Sequence, residues 1–189
     1  MRRRERHDTE FTEFVAARST QLYRSAYLLT ASPVQAEDLL QATLAKVYAA
    51  WGRVRAADDP TAYVHGALIK TFLSEKRRRS STELPMADPT ESGPTAPAGA
   101  PDPTERLVLM AALQQLAPLD RAVVVLRYWD DHSLADTARR LQLTEAAVKN
   151  RSLRSLRALR ELLADRPDPL PAGGTTTVHR TDPSTRRTR

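Results

Sequence analysis

The 189-residue chain contains no cysteine, which excludes a disulfide framework, a thiolate metal site and a thiol nucleophile. It also lacks a long apolar run. The basic start Met1-Arg2-Arg3-Arg4-Glu5-Arg6 is not followed by the apolar stretch of a signal peptide, and no segment approaches the ~18 apolar residues of a membrane span. The chain therefore reads as cytoplasmic, with no membrane partner. Catalytic signatures are missing as well: there is no Gly-rich phosphate loop, no nucleophile elbow and no paired-carboxylate constellation. His7, His65, His132 and His179 are scattered without metal-ligand spacing. No catalytic residue, metal site or cofactor is expected, and the chain does not read as an enzyme. Alternating β-branched runs and internal repeats are absent too, so neither a sheet nor a solenoid is indicated.

What is present is basic and helical. Lys and Arg number 29 against 23 Asp and Glu, a net charge of +6, which favours polyanionic partners and nucleic acid first. Hydrophobic residues make up 41%, enough for modest cores. The charge is unevenly spread. Residues 80–105 hold six prolines, two glycines and five acidic residues, with no Lys or Arg. Such a segment buries too little apolar surface to offset its ordering entropy, so the spacing predicts a flexible acidic linker over 80–103. A disordered tail is predicted over 167–189, where prolines, a Gly-Gly pair and a Thr/Arg-rich end follow one another. Two helical blocks remain, 8–79 and 104–166. The predicted fold is all-α, with two small helical domains.

In the first block Phe11, Phe14, Val15, Leu22, Ala26 and Leu29 recur at three- and four-residue spacing. Ser32-Pro33-Val34-Gln35 carries an N-cap, a proline at the first helical position and a capping-box glutamine. The helix it opens, 33–51, places Leu40, Leu44, Val47 and Trp51 on one face. Asp59-Pro60 opens another, with Val64, Leu68 and Phe72 on one face and the cations Lys76, Arg77, Arg78 and Arg79 at its negative end. In the second block Leu107, Met110, Leu113 and Leu116 lead, and Val123 to Leu126 continue after Pro118.

The sharpest local signal is a helix-turn-helix between Ser133 and Arg160. Ser133 caps a short helix with Ala138 and Leu141 on its buried side; Gln142-Leu143-Thr144 is the turn; Thr144 caps a longer helix. The turn position sits at positive φ, where Gln costs ~1 kcal/mol relative to Gly. At about 100° per residue, Leu156, Leu159 and Leu163 fall near Val148 and form the predicted buried stripe. Lys149, Asn150, Arg154 and Arg157 face away from it. Arg and Lys can hold phosphates or guanine edges, Asn can read adenine, and Leu153 on the same arc can meet a thymine methyl. Arg151 lies between the faces and suits backbone phosphate.

These motifs, taken in order, resemble the extracytoplasmic-function branch of the sigma-70 family, in its compact actinobacterial type. Leu116-Ala117-Pro118-Leu119-Asp120-Arg121 with Leu126-Arg127-Tyr128-Trp129 looks like the opening of the family's fourth region. Ser133-Leu134-Ala135-Asp136-Thr137-Ala138 and Ala147-Val148-Lys149-Asn150-Arg151 look like its helix-turn-helix. Ala36-Glu37-Asp38-Leu39-Leu40-Gln41 is similar to its polymerase-binding helix, and Pro60-Thr61-Ala62-Tyr63-Val64 to the start of its promoter-melting segment. The resemblance implies a sigma factor that directs core RNA polymerase to promoter DNA. Asp38, Leu40, Gln41 and Leu44 would meet the clamp of the largest polymerase subunit. Lys70, Thr71, Lys76, Arg77, Arg78 and Arg79 would meet the minus-ten element. Lys149, Asn150, Arg151, Leu153, Arg154 and Arg157 would meet the minus-thirty-five element. An anti-sigma factor stays open as a further partner. Two positions depart from the family pattern: Lys70 replaces a common Asn, and His65-Gly66 replaces a common basic pair. The rival reading is a helix-turn-helix regulator that binds operator DNA without polymerase.

Overall fold

The computed structural model describes residues 2–82 and 103–164, and these form eight α-helices and one π-helical turn. The acidic linker (80–103) and the tail (167–189) lie outside the described residues apart from the linker's two ends, where helices continue to Thr82 and resume at Pro103. The first block comprises α1 (Arg2–Thr30), α2 (Pro33–Ala49), the short α3 (Trp51–Val54) and α4 (Pro60–Thr82). Its starts are those the sequence marks. The Ser32 hydroxyl accepts from Gln35 N, and Asp59 Oδ1 accepts from Ala62 N at 2.8 Å. The predicted single helix 33–51 instead breaks at Ala50, whose ψ of 10° ends α2 and lets α3 turn Trp51 and Val54 into the core.

The second block comprises α5 (Pro103–Gln115), α6 (Pro118–Val124), a π turn (Val125–Trp129), α7 (Leu134–Leu141) and α8 (Glu145–Ala164). Of the apolar residues that lead this block, Met110, Leu113 and Leu116 are buried and Leu107 is 44% exposed. The π turn is the main local departure from the sequence expectation. Asp130 N bonds Val125 O and His132 N bonds Leu126 O, so the backbone widens by a residue at each step. The widening leaves Tyr128 and Trp129 more than half exposed while Asp130 turns inward.

The two blocks do not stand apart. One apolar cluster contains Ala26, Leu29, Leu39, Leu68, Ile69 and Phe72 of the first block together with Met110, Leu113, Leu116, Val125, Leu126 and Leu159 of the second. Each large side chain so buried contributes roughly 1.5–3 kcal/mol, so this seam is a substantial packing surface. A separate cluster around Leu22, Leu44, Val47, Trp51 and Val64 closes the first block, with Phe11, Phe14 and Val15 along its edge.

Candidate nucleic-acid interface

The helix-turn-helix forms as its spacing predicts. Ser133 Oγ accepts from Asp136 N at 3.0 Å, Thr144 Oγ1 accepts from Ala147 N at 3.1 Å, and Gln142 adopts φ 57°, ψ 43°. The Ser133 hydroxyl also holds the Asp136 carboxyl below its usual value, with Arg139 adding to the effect. Val123, Ala138 and Val148 form the small core between the helices, with Leu134, Leu141 and Leu143 against it.

The inner face of α8 differs from the expected leucine stripe. Val148, Ser152, Ser155 and Leu159 are the buried positions, whereas Leu156 is half-buried and Leu163 is 37% exposed. Two serines on this face let α8 pack close to its neighbours, which a search for apolar residues does not detect. Neither hydroxyl has a hydrogen-bond partner. The outer face agrees with expectation: Lys149, Asn150, Leu153, Arg154 and Arg157 are all exposed, Leu153 at 60%. Arg151 lies between the faces and pairs with Asp120 at 2.6 Å. Arg157 bonds Glu161 in solvent.

On α4, Lys70, Arg77, Arg78 and Arg79 are exposed and Lys76 is half-buried, its ammonium donating to Gln35 Oε1 at 3.3 Å. Thr71 is buried and accepts from Lys46 Nζ, so it supports this surface from behind. On α2, Asp38 and Gln41 are exposed one turn apart. Leu40 and Leu44 are each only 8% exposed and hold α2 against the core.

Sequence reasoning missed a set of polar residues that join the blocks. Arg121 is 5% exposed and donates to Leu29 O and Gln114 O, both at 2.7 Å, and to Leu116 O at 3.2 Å. Its guanidinium therefore holds carbonyls at the ends of α1 and α5 without a carboxylate. Burial pulls its pKa down to about 10, still far above neutral pH. Asp130 accepts from Ser25 Oγ at 2.8 Å, and its second oxygen lies 3.6 Å from buried His65 Nδ1. Arg140 Nη1 donates to Ala62 O at 2.6 Å. Nearby His132 is held below its usual pKa, first by burial and then by Arg140. His65 and Gly66 thus stand at this seam. Gly66 is where α4 admits Arg140, since a Cβ there would lie 3.2 Å from its Nη1.

Known proteins share this two-part layout. Residues 14–82 match the family described as Sigma-70 region 2, and residues 106–159 match Sigma-70, region 4. Over 161 residues the chain is 39% identical to the RNA polymerase sigma-E factor of Streptomyces coelicolor, covering 83% of this chain and 88% of that one. The chain belongs to the sigma-70 family. The sigma factor is also 30% identical over 151 residues to the ECF RNA polymerase sigma factor SigL of Mycobacterium tuberculosis, covering 76% and 83% of the two chains. The sigma factor RpoE of Bartonella quintana, solved in complex with the anti-sigma factor NepR, has the same fold. It superposes with a TM-score of 0.67 at 24% identity, over 83% of this chain and 99% of that one. The sigma factor is of the extracytoplasmic-function type, and its helix-turn-helix lies within region 4. Among the described residues no helix is long and apolar enough to cross a membrane.

Proposed function

We propose that this sigma factor loads core polymerase onto promoters by dividing the work between three helices. α8 reads the minus-thirty-five element, α4 holds the minus-ten element, and the Asp38–Gln41 face of α2 docks on the polymerase clamp. The outer face of α8 carries this reading: Lys149, Asn150, Arg154 and Arg157 surround an exposed leucine, a mixture that fits base edges and phosphates together. Asp38 also borders a small cavity with Lys76 and Arg79, so the docking face of α2 adjoins the cationic end of α4. As an initiation factor it acts in the cytoplasm and catalyses no reaction of its own. The anti-sigma factor bound to the Bartonella relative supports a partner of that kind here.

Reading both elements requires the blocks to separate. The elements lie about 25 base pairs apart by name, roughly 85 Å of duplex at about 3.4 Å per pair. A compact unit of this size is roughly 40 Å across. The closed arrangement is therefore a resting form, and the seam must open on the polymerase.

Two experiments test the assignments. A double Asp38→Ala, Gln41→Ala variant keeps its helicity and loses affinity for core polymerase, measured by titration of labelled protein. Unaltered affinity would remove α2 from the docking surface. Arg154→Ala costs ~1–3 kcal/mol in holoenzyme binding to promoter duplex and relaxes preference at one or two upstream base pairs. Arg160→Ala, near the far end of α8, weakens all sequences equally and lowers the salt dependence by about one counterion. Identical behaviour of the two variants would show that the helix grips DNA without reading it.

A further inference from the structure

A groove of about 1040 Å³ runs between α4 and the second block. Lys46, Lys70, Lys76 and Arg77 line it from the first block, Arg140 and Arg151 from the second, and no Asp or Glu is among its lining residues. Only closed packing brings these two sets of cations together. Like charges facing one another across a groove oppose that packing, and a bound anion carrying several charges would reverse the effect. The wall from the second block is specifically built. Arg140 reaches across the seam to Ala62 O, its Nε is buried without a hydrogen-bond partner, and Gly66 leaves the space it occupies. The volume suits a small ligand rather than a duplex, and guanidinium forks match phosphate oxygens. Promoter DNA is not the natural occupant of this form, because the closed blocks cannot span both elements.

We propose that the groove between the blocks binds a compact polyphosphate anion, free or carried by a nucleotide, which bridges α4 to α7 and α8 and holds the protein closed. Its consequence for transcription rests on the promoter-reading assignment above; binding does not, and the two are measured separately.

The test uses the full chain and inorganic tripolyphosphate, without divalent cations and at constant ionic strength. Thermal unfolding and small-angle scattering are followed together. Tripolyphosphate raises the unfolding midpoint saturably and holds the radius of gyration at its compact value. Lys70→Gln and Arg151→Gln, one on each wall, each weaken binding about fivefold, the upper range for a solvent-exposed ion pair. Asp120→Asn, which frees Arg151 from its ion pair, tightens binding. Arg157→Gln, on the outer face of α8, leaves it unchanged. Parallel titrations with adenosine and guanosine triphosphates identify the source. Tighter binding than tripolyphosphate assigns a nucleotide, and equal binding assigns the phosphate chain alone; either supports the site. A midpoint shift reproduced by sodium chloride, an equal loss in Arg157→Gln, or a loss confined to one wall would overturn the bridging site. If the anion binds but does not inhibit core-dependent transcription, the regulatory consequence fails while the site stands.

Discussion

A short bismaleimide bridge between Ser74→Cys on α4 and Ala117→Cys before α6 abolishes promoter-dependent transcription, and the same double variant left unbridged remains active. Both positions are exposed and line the same groove, from opposite blocks. The natural chain has no cysteine, so only the two introduced thiols react. The bridge fixes α4 and α8 within one compact unit, and such a unit cannot reach two elements roughly 85 Å apart. Core polymerase should still bind the bridged protein through Asp38 and Gln41, which lie on the exposed face of α2. Loss of transcription with retained core binding is the expected pair of results, read by run-off assay and by titration. Full activity of the bridged protein would mean that the closed packing is not a resting form.

Arg121→Ala destabilises the folded chain by about 3 kcal/mol, measured by urea unfolding. The guanidinium serves Leu29, Gln114 and Leu116 carbonyls from a site 5% exposed, where water cannot replace it without opening the seam. Truncation leaves these acceptors unpaired beside Leu29 and Leu116, both buried. Arg121→Lys keeps the charge but loses the planar fork that reaches several carbonyls at once, so it falls between wild type and alanine. Arg157→Ala, whose partner Glu161 lies in solvent, moves the midpoint far less. Equal effects of Arg121→Ala and Arg157→Ala would show that the seam is not held by this residue.

Much of the candidate site was legible because it depends on local chemistry. Ser32, Asp59, Ser133 and Thr144 announce helix starts through side-chain oxygens that accept from nearby amides, and each does so in the structure. The outer face of α8 follows from helical angle alone. The inner face was read less well, since Ser152 and Ser155 are buried for their small size rather than their hydrophobicity. Leu40 and Leu44 show the reverse problem: periodicity marks them as one face but does not say whether that face meets the core or a partner.

The seam was not legible at all. Apolar periodicity on α1, α4 and α5 predicts buried faces, yet it does not name what covers them. Asp130 carries no mark of burial in the sequence, because the π widening that turns it inward has no signature comparable to a cap. His65-Gly66 was visible only as a departure from a family pattern. In the fold, His65 faces Asp130 and Gly66 makes room for Arg140, so the departure sits where the blocks meet.

This protein gives core polymerase its promoter specificity, and reconstituted transcription tests that most directly. Purified core polymerase is supplied with fragmented genomic DNA, with and without the protein, and transcript starts are sequenced. Discrete starts should appear only when the protein is present, preceded by two shared elements centred near minus thirty-five and minus ten. Arg154→Ala should alter preference in the upstream element alone. Specific duplex binding by the free protein at physiological salt, with transcript starts unchanged by its addition, would instead make it an operator-binding regulator that acts without polymerase.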